Sequence, residues 1–137
     1  MKISDLAPVL FRFENYFNRP KRKQIYVIID GQYHLKDEEI YGLFKLKEID
    51  KQQIIILRDY KKFTNYDFEK FKNKEKYAAI IVGSMPHSVK GKGDFDSIIS
   101  RIEHEQEEWP ILKKTCASNE LKLTKSNLST ILEILFE

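Results

Sequence analysis

Between positions 83 and 96 the chain reads GSMPHSVKGKGDFD, which gathers Ser84, His87, Ser88, Lys90, Lys92, Asp94 and Asp96 around Gly83, Gly91 and Gly93, three of the chain's five glycines. Residues of these types bind anions. Glycine accepts positive φ and lets successive backbone N–H groups close around a phosphate. Lys90 and Lys92 add charge, and Ser84, Ser88 and His87 add donors. An imidazole that titrates near neutral pH also makes His87 a candidate general acid–base. The apolar positions Phe95, Ile98, Ile99 and Ile102 return at helical spacing, so the loop leads into a helix N-terminus, where free N–H groups attract anions. Asp94 and Asp96 stand at that helix start and compete for the same groups. The loop is not a Walker A motif, because Pro86 and Gly93 occupy the positions of its first Gly and its Ser or Thr. It is not GxGxxG either, since only Gly91-Lys92-Gly93 fits. The plain alternative is a surface loop with turn glycines.

Carboxylates offer a second chemistry. Asp30, Asp59, Asp94 and Asp96 can converge at the carboxyl edge of a parallel sheet. Several acids at one edge can hold Mg²⁺ or Mn²⁺ with waters and activate a water against a phosphodiester. The stretch Ile28–Gly31, an apolar strand ending in IID before a polar turn, resembles the first strand of PIN-like and related nucleases. That resemblance implies a metal-dependent nuclease on a Rossmann-like domain. The competing reading of Asp30 and Asp59 is an aspartate that ends a strand by forming a turn.

The remaining candidates are weaker. His34 ends the first strand and can approach His87, whereas His104 sits in a charged helical stretch and is expected to be solvated. Cys116 is a lone cysteine that can face His87, but lone cysteines are more often inert and buried. Tyr33, Tyr60 and Phe63 can stack on a base or pack in the core. No HxH, HExxH or cysteine–histidine cluster occurs, which argues against a zinc site.

The elements that position these groups alternate. Residues 3–18 form an amphipathic helix on Ile3, Leu6, Leu10, Phe13 and Phe17. The basic turn Asn18–Lys23 follows. Gln24–Asp30 is a strand, Lys36–Phe44 a helix and Gln53–Arg58 a strand. Asn65–Lys72 reads as a helix capped by Asn65, 77–82 as a strand and 95–105 as a helix. Trp109–Lys113 is a fourth strand that Leu121–Leu123 continues or pairs with, and Ser126–Phe136 is a last helix capped by Ser126. Helices alternating with near-continuously apolar strands mean βαβ units and a parallel sheet. The expected fold is one α/β domain over 1–137, a three-layer Rossmann-like sandwich with a mostly parallel sheet of four or five strands. Such sheets bind ligands at the carboxyl ends of their strands. That rule gathers Asp30, Asp59, the 83–96 loop, Lys122 and Lys125 at one edge and sends the 19–23 basic turn to the other.

Composition limits the partners. The 137 residues are 33% charged and 42% hydrophobic with a net charge of +3, which permits a polyanion without demanding one. One cysteine excludes an internal disulfide framework. No apolar run approaches the ~20 residues that cross a bilayer, and Asp5, Arg12 and Glu14 interrupt what would be a signal peptide's apolar region, so the chain is expected in the cytoplasm. The leading reading is a domain that binds or senses a phosphate-bearing ligand, a nucleotide or nucleic acid. Its contacts are Ser84, His87, Ser88, Lys90, Gly91, Lys92 and Gly93, flanked by Lys122 and Lys125. The alternatives are the nuclease on Asp30, Asp59 and Asp94, and a protein-interaction module. That module would be the C-terminal piece of a larger protein or a homodimer through the N-terminal helix.

Overall fold

A computed structural model describes residues 24–59, 67–84 and 99–136. The expected helix 3–18, the basic turn 19–23, Tyr60, Phe63, Asn65 and the loop residues from Met85 to Ser97 lie outside the described residues.

The frame is a mixed α/β arrangement around a four-stranded parallel sheet. β1 (Ile25–Ile29), β2 (Ile54–Leu57), β3 (Tyr77–Val82) and β4 (Ile111–Lys114) stand in the order β2-β1-β3-β4. β1 is paired on both sides, with Val27 opposite Ile55 in β2 and Ile80 in β3. That accounts for the runs of bulky apolar residues in β1 and β3, since both faces of these strands must be covered. β3 is buried along its whole length.

Alternate residues feed two separate cores. Tyr26, Ile28, Ala79 and Ile81 point to one face and pack against α1 (Asp37–Lys45) and the C-terminal helix Lys125–Leu135. Ile40, Leu43 and Phe44 come from α1, and Leu128, Ile131, Leu132 and Leu135 from the C-terminal helix. Val27, Ile29, Ile80 and Val82 point to the other face, against Phe68, Phe71, Ile102 and Trp109. The second layer there is α2, described over 99–104, and a 3-10 turn Phe68–Phe71. With α2 assigned, the C-terminal helix is α3. The Trp109 indole N–H, Lys72 and Arg101 all bind Glu105 and hold its carboxyl below the usual range. No described helix is long and apolar enough to cross a membrane.

Three sequence expectations need correction. Of the segment expected as helix Asn65–Lys72, the described part holds a 3-10 turn, Phe68–Phe71, whose N-cap is Asp67, with the Glu69 N–H donating to Asp67 Oδ1. The helix expected to start at Ser126 begins at Lys125 and is capped by Thr124. There the Asn127 N–H donates to Thr124 Oγ1 at 3.1 Å and Thr124 N–H to Asn127 Oδ1 at 2.9 Å, a reciprocal capping box. Finally, Leu121 does not extend or pair with β4. Cys116–Ala117 (β5) and Glu120–Leu121 (β6) form their own antiparallel ribbon. The turn residues Ser118 and Asn119 have φ of 54° and 66°. Two consecutive positive φ values fit a two-residue hairpin whose twist matches that of its strands.

Candidate functional site

The strand order fixes where the carboxyl edge opens. β2 lies on one side of β1 and β3 on the other, so the direction of winding reverses between β1 and β3. Past the last ladder pair the two strands stay tied. The Gly83 N–H donates to the Ile29 carbonyl at 2.7 Å and the Gly31 N–H to the Ser84 carbonyl at 3.0 Å. The Ser84 N–H donates to Asp30 Oδ1 at 3.0 Å. Gly83 has to be glycine on steric grounds, since a Cβ there would lie 2.8 Å from Asp30 Oδ1 and 2.9 Å from Leu123 Cβ.

Asp30 is fully buried, and a buried carboxylate needs partners. Arg58, at the end of the neighbouring β2, supplies charge, with its Nη1 donating to Asp30 Oδ2 at 3.0 Å. The N–H groups of Ser84 and Gln32 supply further donors. Arg58 is itself held on several sides. Its Nε donates to Asp37 Oδ1 at 2.7 Å, its Nη2 to the Leu35 carbonyl and its Nη1 also toward the Gln32 carbonyl at 3.4 Å. Asp37 is the first residue of α1. Arg58 thus joins the ends of β1 and β2 to the turn 31–36 and the start of α1. Burial pushes the Asp30 carboxyl up, against the opposing pull of the Ser84 N–H and the Arg58 charge.

The β4 side of the edge is sealed in the same manner. Thr115 gives both its N–H and its hydroxyl to the Val82 carbonyl, each at 2.9 Å. Ser84 Oγ donates to the Leu121 carbonyl at 2.8 Å. The Lys122 N–H returns to the Thr115 carbonyl at 3.1 Å, and Asn127 Nδ2 donates to the Lys122 carbonyl at 2.7 Å. These bonds seat the β5–β6 ribbon and the start of α3 beside the end of β3.

The residues expected in the site therefore take different places. Ser84 is buried and turns its hydroxyl and its N–H inward, to Leu121 and Asp30. Lys122 is half-buried at the edge and Lys125 is the exposed first residue of α3. Asp59 is exposed beside Arg58, His34 is exposed with its Nε2 2.9 Å from Gln32 Oε1, and Cys116 is exposed in the ribbon. His104 is exposed, as expected. His87, Ser88, Lys90, Gly91, Lys92, Gly93, Asp94 and Asp96 lie outside the described residues. Among the described residues no group of three or more His, Cys, Asp or Glu side chains could hold a metal ion.

Arg58 as the organiser of this edge is not singled out by sequence reasoning, although a signal exists. An aspartate directly after a fully apolar strand has no water to face, so it calls for a cation at the same level of a neighbouring strand. Arg58 follows Leu57, the partner of Ile29.

The two described helices that start at this edge differ in charge. α1 opens with Asp37, Glu38 and Glu39, whereas α3 has no acid in its first turn and begins with Lys125. An anion is favoured at the second and opposed at the first. Comparison with protein-family models, with curated proteins and with solved structures finds no match to this chain, and the site stands on its own geometry.

Proposed function

We propose that the chain is a single Rossmann-like α/β domain, doubly wound in three layers, that binds or senses a phosphate-bearing ligand, a nucleotide or nucleic acid, in the cytoplasm. The observation that carries this reading is the strand order β2-β1-β3-β4. It places the winding reversal, where open parallel sheets take their ligands, at the residue from which the segment holding His87, Ser88, Lys90, Gly91, Lys92 and Gly93 departs. The acid-free start of α3, with Lys122 and Lys125, supports a cationic flank on the same side. Ser84 belongs to the frame, because its hydroxyl and N–H already have partners. The ligand contacts in this reading therefore begin beyond it.

The metal-dependent alternative gains no support from Asp30, whose two oxygens accept from Arg58 and the Ser84 N–H. A carboxylate so engaged, beside a guanidinium, is poorly placed to take a divalent cation as well.

The test is calorimetric titration of ribose 5-phosphate, adenosine monophosphate and a short oligonucleotide into the wild type and Lys90→Ala/Lys92→Ala. Weaker binding in the double variant is expected. Equal affinity in both removes the 85–96 segment from the site, and no binding of any of the three to the wild type sinks the proposal.

A further inference from the structure

We propose that Tyr33 is a stacking platform for the base of the ligand, which makes that ligand a nucleotide rather than a sugar phosphate or inorganic phosphate. This rests on the phosphate-ligand reading above. Tyr33 is 68% exposed, whereas the side chain of Arg58 beneath it is only 5% exposed. Arg58 Cζ lies 4.4 Å from the centre of the Tyr33 ring.

Single exposed aromatic residues are ordinary on protein surfaces. What sets this ring apart is its backing. The guanidinium plane is fixed by Asp30, the Leu35 carbonyl and Asp37, from the end of β1, the turn after it and the start of α1. A ring lying on a fixed cation keeps one face occupied and offers the other to solvent. The cation beneath draws on the ring's π electrons, which favours an electron-rich partner such as a purine above. Ordering such a ring on binding costs little, because its support is already rigid.

Position supports the same reading. Gly31, two residues before Tyr33, bonds to Ser84 across the winding reversal. The ring belongs to the turn after β1 and lies over Arg58 at the end of β2, and the cationic start of α3 stands beside the end of β3. A base on the first and a phosphate toward the second would span the opening.

The experiment compares adenosine monophosphate with ribose 5-phosphate on the wild type, Tyr33→Ala, Tyr33→Phe and Lys90→Ala/Lys92→Ala. Stacking of one base corresponds to roughly a tenfold gain in affinity. The wild type should bind adenosine monophosphate about tenfold more tightly than ribose 5-phosphate, and Tyr33→Ala should abolish that gap by weakening the nucleotide alone. Tyr33→Phe should keep the gap. Equal binding of the two ligands by the wild type overturns the platform while leaving the phosphate reading in place. So does a lower melting temperature for Tyr33→Ala with unchanged nucleotide affinity, which would make the ring a cover for Arg58. If the wild type binds neither ligand, both readings fall. Loss of both ligands in the lysine variant, with the Tyr33 effect intact, upholds both.

Discussion

Gly83 and Asp30 stand so close that no side chain fits between them, with 2.8 Å separating a Cβ at position 83 from Asp30 Oδ1. On the other side of the same point is Leu123 Cβ, at 2.9 Å. Both obstacles are anchored near the backbone and cannot swing away. Gly83→Ala should lose about 1–3 kcal/mol, the usual cost of overpacking, read from urea unfolding. Adding Leu123→Ala should bring no relief, because alanine keeps the offending Cβ. Recovery of stability in that double variant would show that the contact is not the cause.

Removing one partner of the buried ion pair should cost more. Asp30→Ala leaves Arg58 inside with a charge uncompensated on that side, for which about 3–5 kcal/mol is expected. Asp30→Ala combined with Arg58→Met removes both charges and should lose clearly less than the two single variants together. A double-mutant cycle on unfolding free energies measures this coupling, and simple additivity would mean that the two residues do not depend on each other.

The same carboxyl makes stability depend on pH. Burial raises Asp30 above its ordinary value of 3.8, with the Ser84 N–H and Arg58 pulling it back only in part. The folded state then holds the proton more tightly than the unfolded chain does. Its contribution is full below the unfolded value and is lost as pH rises through the folded one. In urea unfolding between about pH 3 and about pH 7, the stability of the wild type relative to Asp30→Asn should fall as pH rises. A rise instead would mean that Arg58 and the N–H donors outweigh burial.

Tyr26 carries the opposite problem. Its hydroxyl is buried with no hydrogen-bond partner among the described residues, amid rings such as Phe44 at 5.3 Å and Phe136 at 5.8 Å between centroids, and burial pushes its pKa up. An unpaired buried hydroxyl costs about 1–3 kcal/mol. Tyr26→Phe keeps the ring packing and should therefore raise the midpoint of thermal unfolding. A lower midpoint would reveal a partner for the hydroxyl, such as a buried water.

The start of α3 separates two serine- and threonine-based expectations. Thr124→Ala should cost about 1 kcal/mol through the lost cap. Ser126→Ala, two residues on, should stay within about 0.5 kcal/mol of the wild type. A reversed order in thermal melts would return the cap to Ser126.

These particulars explain what could be read in advance. The strands are legible because Tyr26–Ile29, Ile54–Leu57 and Ala78–Val82 are short unbroken apolar runs, as strands of a parallel sheet require. Phe68 and Phe71 read as the inward face of a helical segment because a spacing of three suits either helix type, and in a 3-10 turn such positions line up. Residue type does not reveal the cap of α3, because Ser126 is at least as good a capping residue as Thr124. Seating Leu123 against Gly83 ends the extended chain there and brings Asn127 back to Thr124. The pairing of Asp30 with Arg58 needed the strand order, which spacing along a chain does not reveal. Which residues end strands was readable, but which ends are neighbours was not.

One consequence concerns the order in which the sheet is made. β1 is the first described strand to leave the ribosome, yet it occupies an interior position and pairs with β2 and β3. At about 5–20 residues per second, its apolar run waits roughly 3–10 s before β3 has been synthesised. The helix α1 can cover part of one face and β2 can pair one edge before then, but the other edge of Tyr26–Ile29 stays open until β3 is made. The nascent chain is therefore most exposed to mispairing in the interval between the synthesis of Ile29 and that of Val82, and slowing translation across that interval should lower the soluble yield.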